Sequence, residues 1–321
     1  MRLLVTGGAG YIGSHAVKRL AAAGFEPIVF DNLQTGHRSS VRWIPLVQGD
    51  LCVGSQIREV LAEYRPDAVV HLAGSAYVGE SMQRPRDYFR NNVVASLNLL
   101  DAMVDARVQY VVFSSSCATY GVPERVPLTE DHPQRAISPY GESKLFVERA
   151  LRWYANSYGL RFAVLRYFNA AGADLDGDLG EVHHPETHLI PLAIQAALGL
   201  RPFVEVHGTD YPTPDGTAVR DYVHVADLAK AHVQALQYLL AGGENVALNL
   251  GTGQGHSVLE VLVQIGRMGE RPVPVRSGPR RPGDPPVLVA DAARAEQVLG
   301  WRPALSDLDT IVQTAWRWHA R

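Results

Sequence analysis

Cysteine is scarce in this chain, since only Cys52 and Cys117 occur among its 321 residues. They form neither a CxxC pair nor a metal-ligand spacing, which excludes a cysteine-based zinc site and a dense disulfide framework. The N-terminal sequence MRLLVTGGAG also lacks the apolar core of a signal peptide. We therefore expect a protein of the reducing cytoplasm.

Long apolar runs and an excess of one charge are also missing. No stretch approaches the ~20 uncharged apolar residues that cross a membrane. Lys and Arg number 30 against 33 Asp and Glu, a net charge of −3. This balance argues against a broad basic surface for nucleic acid or anionic membrane. With 46% hydrophobic and 20% charged residues, the composition is that of a globular protein rather than a disordered chain or coiled coil.

Two hydrophobic periods alternate in the first half of the chain. Stretches of helical period separate short apolar runs, and this alternation predicts βαβ units and an α/β fold with a doubly wound, Rossmann-type parallel sheet. The predicted strands are 2–6, 26–31, 68–73, 110–115 and 162–168, and the predicted helices are 11–23, 53–64, 87–106 and 140–157.

The composition of the sequence changes after about residue 170. Segments 170–187 and 207–216 are turn-rich, and 270–286 is rich in Pro and Arg. At roughly 150 residues per domain, the length predicts about two domains. We expect a Rossmann domain over 1–170, to which 221–252 returns, and a smaller α/β lobe over 171–321. Further predicted elements are helices at 227–241, 257–268 and 306–319 and a strand at 246–250.

A glycine-rich turn follows the first predicted strand. In TGGAGYIG, Gly7, Gly10 and Gly13 occupy the positions where a dinucleotide-binding turn needs a tight bend, close approach to a pyrophosphate and helix–strand packing. Asp31 ends the second strand, where a carboxylate binds ribose hydroxyls and repels a 2′-phosphate, so NAD is favoured over NADP. Asp50 in QGDL is either an adenine contact or an ordinary turn residue.

A possible acid–base group lies in SPYGESK. Ser138 and Pro139 suit the cap and first position of a helix, which puts Tyr140 and Lys144 one turn apart on one face. A neighbouring ammonium is expected to lower the pKa of the Tyr140 phenol toward the range of a base. Ser116, in the serine run at the end of the strand 110–115, is placed to share a proton with the reacting oxygen.

Several motifs in order carry a family resemblance over nearly the whole chain. TGGAGYIG, Asp31, SSSCATYG and YGESK together resemble the extended short-chain dehydrogenase/reductase superfamily. Further segments resemble its UDP-glucose 4-epimerase family: HLAGSAYVGES (71–81), LRYFNAAGAD (165–174), RDYVHVADLA (220–229), NLGTGQGHSV (249–258), RRPGD (280–284) and LGW (299–301).

The resemblance implies NAD-dependent 4-epimerisation of a UDP-hexose, UDP-glucose or UDP-galactose, through a transient 4-keto sugar with hydride leaving and returning. Ser116, Tyr140 and Lys144 would be catalytic. The implied NAD site comprises Gly7, Gly10, Tyr11, Ile12, Gly13, Asp31, Asn32, Asp50, Leu51, Leu72, Ala73, Gly74, Asn92, Ser114, Tyr140, Lys144 and Tyr167. The implied UDP-sugar site comprises Ser116, Tyr140, Asn169, Leu189, Arg220, Arg281 and Asp284.

The chain departs from the family pattern at Ala76, at His188 and at Cys117, which stands where alanine is common. Ala76 replaces a lysine that neighbours the cofactor phosphates in relatives, which predicts weaker retention of NAD. His188 stands where some members have asparagine. Leu288 matches a position that limits room for a 2-N-acetyl group, and its bulk predicts poor use of UDP-N-acetyl sugars.

Other interpretations remain open at this stage. A 4-epimerase of another UDP-sugar (UDP-pentose, UDP-GlcNAc or UDP-glucuronate) is the main alternative, and a non-catalytic NAD-dependent sensor is a weaker one because Tyr140 and Lys144 are both present. A 4,6-dehydratase is disfavoured, since SSSCATYG carries no carboxylate. His183, His184 and His188 resemble a metal cluster, but no nearby pattern completes a tetrahedral site and no metal is expected. In the superfamily, helices corresponding to 87–106 and 140–157 commonly pair, which predicts a homodimer.

Overall fold

The computed structural model describes residues 1–42 and 44–321. Strands β1–β14 are Arg2–Thr6, Glu26–Asp31, Leu46–Gln48, Ala68–His71, Tyr110–Ser116, Arg161–Tyr167, Asn169–Ala171, Val204–His207, Val219–Arg220, Tyr222–His224, Val246–Leu250, His256–Ser257, Val275–Gly278 and Val287–Leu288. Helices α1–α11 are Tyr11–Ala22, Gly54–Tyr64, Val78–Gln83, Pro85–Tyr88, Ala95–Asp105, Pro139–Tyr158, Leu189–Ala197, Val225–Leu240, Val258–Met268, Ala293–Leu299 and Leu308–His319.

The central sheet has seven strands in the order β11-β6-β5-β4-β1-β2-β3, and every pair is parallel. Its strands are apolar along their length because helices cover both faces, and Val5, Val70 and Leu165 have no exposed surface. The strand order reverses beside β1, and ligands of such sheets bind outside the carboxyl ends of the strands at that point. The predicted doubly wound, Rossmann-type sheet is therefore confirmed.

Two apolar cores lie on opposite faces of this sheet. On one face, α1 and α8 contribute Val17 and Leu236 to a core that includes Val5. On the other face, α2, α5 and α6 contribute side chains such as Leu99 and Leu151. Burial on this scale supplies about 25 cal/mol per Å² of apolar surface, so packing rather than local propensity fixes these helices.

The chain returns to the sheet late. Strand β11 pairs with β6, with Leu248 opposite Leu165, and α8 packs against α1. The strand is found at the residues that the sequence predicts, 246–250. The seven-stranded sheet is therefore built from two segments that are distant in sequence.

A second group of helices packs beyond the carboxyl ends of the strands. Helices α7, α9 and α11 share an apolar core that contains Ile194, Ile265 and Ile311. Short strands cover it, in the sheets β12-β9-β14 and β13-β8, and β7 pairs with β10. These strands were not predicted, because segments of two to four residues are too short to show an alternation of apolar and polar residues.

The predicted continuous helix over 87–106 is interrupted. The chain forms α4, then a π-helical turn over Phe89–Val94, and then α5. The wider turn directs the Asn92 amide at Ser143 and at the loop after β4, and π turns of this kind occur often at functional sites. Throughout the described ranges, the helices are too short or too polar to span a bilayer.

Candidate active site

The glycine turn between β1 and α1 forms a cradle without side chains. Gly7 has φ +72°, and a Cβ on it would lie 2.5 Å from the nitrogen of Ala73. A Cβ on Gly13 would lie 2.0 Å from the oxygen of Gly7, so neither position accepts another residue. Gly10 caps the helix, and a Cβ there would meet only the Gly7 oxygen, at 3.4 Å. The turn is therefore tightly packed around Gly7 and Gly13 and leaves space beside Gly10, at the N-terminus of α1.

The N-terminus of α1 is arranged to face an anion. No side chain caps the helix and no acidic residue lies in its first turn. The first N–H groups of a helix carry partial positive charge and lack partners within the helix. A pyrophosphate would satisfy them. The cradle therefore fits the diphosphate of a dinucleotide.

Asp31 lies at the carboxyl end of β2 and is largely buried. Its carboxylate accepts hydrogen bonds from the N–H groups of Ala9, at 2.9 Å, and Leu33, at 2.8 Å. Burial raises the pKa of this carboxyl group, and the two N–H donors act in the opposite direction. A carboxylate has about four acceptor sites, so two stay available to ribose hydroxyls.

The loops after the next strands complete this side of the cleft. The Asp50 carboxylate accepts from the N–H of Cys52 at 2.8 Å, while Leu51 is buried, and the Asn32 side chain accepts from the N–H of Gln34. Leu72 N–H bonds to the oxygen of Thr6 and continues the β4–β1 register into the loop. The structure thus brings the predicted residues of the adenosine side to one edge of the sheet.

Gly74 and Asn92 connect this loop to α6. Gly74 has φ +154°, and a Cβ there would lie 3.1 Å from the Asn92 Oδ1 and 3.4 Å from the Lys144 Nζ. The Asn92 amide accepts from the N–H of Ser75 at 2.8 Å and donates to Ser143 at 2.9 Å. A side chain at position 74 would fill the space beside Lys144. The glycine keeps that space open.

Lys144 is buried at the carboxyl end of β5. Its Nζ donates to the main-chain oxygen of Ser114 at 2.9 Å and lies 5.1 Å from the centre of the Phe113 ring. Burial lowers the pKa of Lys144 to about 8, and the nearby Glu148 carboxylate acts in the opposite direction. The Ser114 hydroxyl lies 3.1 Å from the Nε2 of His232. Lys144 is therefore held in place by main chain and has little solvent around it.

Tyr140 begins the same helix beside the end of β5. The Ser138 side chain caps α6 by accepting from Gly141 N–H at 3.1 Å, with Pro139 in the first position, as the sequence predicts. Tyr140 is buried, and its phenol interacts with the Ser116 hydroxyl. The structure thus brings Ser116, Tyr140 and Lys144 together at one strand end.

The pKa of Tyr140 differs from the expectation that Lys144 would lower it. Burial raises the pKa of Tyr140 to about 12, and the Ser116 hydroxyl acts in the opposite direction. Lys144 is not among the groups that shift it, because its ammonium points at the Ser114 oxygen. Removal from water disfavours the charged phenolate, and placing Lys144 one helical turn away does not offset this effect. The chain alone therefore holds Tyr140 protonated near neutral pH.

Five of the seven predicted UDP-sugar residues lie outside the seven-stranded sheet, in the part of the chain that contains the second helical group. The guanidinium of Arg220, on β9, forms an ion pair with the Asp284 carboxylate. Arg281 is exposed in the same Pro-rich segment. Asn169 begins β7, and Leu189 begins α7. Arg220 and Asp284 thus bind each other, and the other two predicted residues, Ser116 and Tyr140, lie at the end of β5.

The segment 172–188 covers the start of α1. The Tyr11 hydroxyl donates to the oxygen of Gly172 at 2.6 Å, and an imidazole nitrogen of His37 lies 3.1 Å from the Val182 oxygen. Lys18 forms ion pairs with three carboxylates of the segment, those of Asp174, Asp176 and Asp178. Ile12 is half-buried on the same helix. The segment therefore crosses the helix whose N-terminus faces the anion site.

Sequence reasoning missed the groups that support these side chains. The Arg166 guanidinium and the Glu148 carboxylate form a fully buried ion pair at 2.6 Å, and Ser115 donates to the same carboxylate at 2.6 Å. This pair ties β5 and β6 to α6. His232, against Ser114, lies on the buried face of α8 and was detectable from helical periodicity. Nothing local in the sequence pairs Arg166 with Glu148.

Residues 3–251 match the model of the NAD dependent epimerase/dehydratase family. The chain is 53% identical to a UDP-glucose 4-epimerase of Rhizobium meliloti, over 99% of this chain and 97% of the relative.

Solved structures of UDP-glucose 4-epimerases are also similar to this chain. A UDP-glucose 4-epimerase from Brucella ovis in complex with NAD superposes with a TM-score of 0.96 at 54% identity, covering 99% of this chain and 98% of the other. One from Stenotrophomonas maltophila, with bound NAD and formylated UDP-arabinopyranose, gives 0.95 at 43% identity, covering 100% and 98%. The chain belongs to the NAD dependent epimerase/dehydratase family and, within it, to the UDP-glucose 4-epimerases.

Proposed function

We propose that this protein interconverts UDP-glucose and UDP-galactose by NAD-dependent 4-epimerisation. The observation that carries the proposal is the convergence of Ser116, Tyr140 and Lys144 at the carboxyl end of β5, beside the glycine cradle. Full-length identity to UDP-glucose 4-epimerases supports the same reaction. The enzyme is an isomerase that uses NAD as its cofactor.

The reaction needs a group that removes and returns the proton of the sugar 4-hydroxyl. When bound, oxidised NAD supplies the acceptor for the hydrogen of C4 and a positively charged nicotinamide ring. A positive charge beside the buried phenol lowers the pKa of Tyr140 from its value of about 12. Tyr140 then takes the hydroxyl proton, and Ser116 passes or shares it. The same phenol returns the proton after the 4-keto sugar has turned.

Lys144 serves as a positioning and binding group. Its Nζ lies beside Gly74 and donates to the oxygen of Ser114, so its remaining hydrogens would be free to bind a ribose hydroxyl of the cofactor. The glycine cradle would hold the pyrophosphate, and Asp31 would hold the adenosine ribose. The other cofactor contacts are assigned to Tyr11, Ile12, Asn32, Asp50, Leu51, Leu72, Ala73, Asn92, Ser114 and Tyr167.

The UDP end of the substrate is assigned to the opposite wall. Arg220 and Arg281 are suited to the diphosphate, because the guanidinium fork makes bidentate, charge-assisted hydrogen bonds. Asp284 orients Arg220 through their ion pair. Asn169 and Leu189 complete the pocket. We assign 1–170, with 221–252 returning to it, to NAD binding and 171–321 to the UDP-sugar.

Two further expectations are part of the proposal. The protein is a homodimer, supported by the exposed aromatic side chains of Phe146 and Trp153 on α6, at 50% and 71% exposure. It acts in the cytoplasm, supported by the two free cysteines, of which Cys117 is buried beside the catalytic serine.

The decisive experiment follows the anomeric proton signals of the sugar by NMR. Purified protein is mixed with UDP-galactose, with and without added NAD. Appearance of UDP-glucose supports the proposal. Conversion only after NAD is added supports the reaction and shows weak retention of the cofactor. If UDP-glucose does not appear under either condition, the proposal is contradicted. UDP-pentoses and UDP-glucuronate are then tested as substrates.

A further inference from the structure

Four side chains with metal-binding atoms converge between β7 and α7. They are Glu181, His183, Glu186 and His188, and one ligand atom of each lies within 4.8 Å of the other three. Glu181 is buried, and the other three are half-buried. None of the four is in the catalytic group described above. The cluster lies in the part of segment 172–188 that leads into α7.

The ligand atoms lie close enough together to share one ion after small side-chain adjustments. Glu181 Oε1 lies 3.2 Å from His183 Nδ1 and 2.6 Å from His188 Nδ1. Glu186 lies 3.2 Å from His188 Nδ1 through one oxygen and 3.7 Å from His183 Nδ1 through the other. Metal–ligand bonds of about 2.0–2.2 Å place tetrahedral neighbours ~3.4 Å apart. The observed separations lie on both sides of that value.

One atom of the cluster lacks a well-formed hydrogen bond. The Nδ1 of His183 is buried and lies 3.2 Å from Glu181 Oε1, but the angle between them does not make a hydrogen bond. A buried nitrogen without a partner costs free energy, and bound metal would remove that cost. The Glu181 and Glu186 side chains are only 6% and 7% exposed, so two carboxylates are held together with little water around them. A dication balances both charges and leaves the imidazoles neutral.

Neighbouring groups hold the ligands in this arrangement. One oxygen of Glu186 accepts hydrogen bonds from the N–H groups of Thr187 and His188, at 2.8 and 2.9 Å. The indole of Trp318 donates to the main-chain oxygen of Glu181. The ring of Tyr77 packs against both imidazoles, with centroids 5.6 and 5.7 Å away. Support of this kind is typical of the surroundings of metal ligands.

We propose that Glu181, His183, Glu186 and His188 bind one Zn²⁺ ion, which fastens segment 172–188 to the start of α7. Two imidazole nitrogens and two carboxylate oxygens in a closed tetrahedron favour zinc and a structural role. The ion would fix Leu189, the next residue and part of the assigned UDP-sugar site. The sequence-based expectation of no metal considered the histidines, and the structure adds the two glutamates that complete a ligand set.

Metal content tests the proposal directly. Untagged protein is incubated with zinc, desalted, and analysed by inductively coupled plasma mass spectrometry. We expect about one zinc per chain in the native protein and at least a tenfold loss in His183→Gln and Glu186→Gln. The matched control is His184→Gln, which removes an exposed histidine between the ligands and retains the metal. Circular dichroism verifies that each variant is folded.

A second measurement does not depend on variants. Cobalt(II) added to metal-free native protein gives strong visible absorption bands when it is bound tetrahedrally by imidazole and carboxylate. Zinc should abolish these bands at one equivalent. A chelator should lower the Tm of the native protein and of His184→Gln, and leave that of Glu186→Gln unchanged. Absent stoichiometric metal, or equal metal in all variants, would overturn the proposal and leave a hydrogen-bonded imidazole–carboxylate network.

Discussion

The Nζ of Lys144 donates a 2.9 Å hydrogen bond to the main-chain oxygen of Ser114. The bond joins the second turn of α6 to the carboxyl end of β5. Burial moves the two groups in opposite directions, since it lowers the pKa of Lys144 to about 8 and raises that of Tyr140 to about 12. We therefore expect the pair to act in catalysis only when ligands bring charge close to it.

Tyr140→Phe tests the acid–base assignment. The substitution removes the hydroxyl and keeps the buried ring, so the fold should persist while kcat falls about 10²–10⁴-fold. Tyr158→Phe is the matched control, because that tyrosine is 61% exposed at the other end of the same helix. Turnover is followed by the NMR assay. Full activity in Tyr140→Phe would remove this residue from the mechanism.

Ala76→Lys tests retention of the cofactor. Ala76 is exposed in the loop after β4, at the position where the family resemblance implies a lysine near the cofactor phosphates. One added charge-assisted contact of ~1 kcal/mol should lower the Kd for NAD about fivefold. Gln83→Lys adds the same charge to the same segment without reaching the cradle. Titration calorimetry on cofactor-free protein measures both, and an equal change in the two variants would refute a specific contact.

Much of the fold could be predicted because its signals are local. Strand β11 is found at 246–250 as predicted, and α6 extends the predicted helix by one residue at each end, over Pro139–Tyr158. Continuous apolar runs mark strands buried on both faces, and Ser138 with Pro139 marks the start of a helix. Such patterns depend on neighbours along the chain.

The rest depends on residues that meet only in the fold. The π turn around Asn92 exists because its amide binds Ser75 and Ser143, and helical periodicity contains no sign of it. The Arg166–Glu148 pair joins a strand to a helix across a buried surface. The raised pKa of Tyr140 follows from its burial, and the burial cannot be predicted from the sequence spacing between Tyr140 and Lys144.

Leu288 is predicted to exclude N-acetyl sugars. Its side chain is 7% exposed and shares an apolar cluster with Cys117 and Phe168, next to the catalytic Ser116. We expect kcat/KM for UDP-GlcNAc to be at least ~10-fold below that for UDP-glucose, and Leu288→Ala to narrow the gap by about that factor. Val287→Ala on the same strand is the control. Comparable values for both sugars in the native enzyme would contradict the prediction.

Trp153 is predicted to lie in the dimer interface. It is 71% exposed, and Phe146, two turns earlier on α6, is 50% exposed, so one face of the helix carries both. Trp153→Glu places a charge there and should halve the mass measured by light scattering. Leu200→Glu alters a residue that is 72% exposed elsewhere and should leave the mass unchanged. A monomeric native protein at micromolar concentration would rule out the dimer.

Three buried histidines predict loss of stability in acid. Burial lowers the pKa of His71 to about 3 and those of His224 and His232 to about 4. Below the ordinary pKa of about 6.5, the unfolded chain binds protons that the folded chain excludes. Each histidine should therefore remove about 1.4 kcal/mol of unfolding free energy per pH unit between pH 6.5 and its lowered pKa.

Urea unfolding at pH 7, 6 and 5 measures this loss. His224→Asn keeps a side-chain acceptor for the N–H of Ala226 and should flatten the pH dependence by one proton. His184→Gln, at an exposed position, should leave the slope unchanged. Equal slopes in His224→Asn and the native protein would show that this histidine is not the source.

The late return of β11 to the sheet has a consequence for synthesis on the ribosome. Until residue 250 has left the exit tunnel, β6 has no partner on its outer edge and α1 has no α8 to cover its apolar side. Pairing between segments so distant in sequence forms slowly, and open strand edges are prone to aggregation. The nascent chain therefore carries an incomplete sheet, with an open edge at β6 and an uncovered apolar side of α1, while the intervening residues are translated.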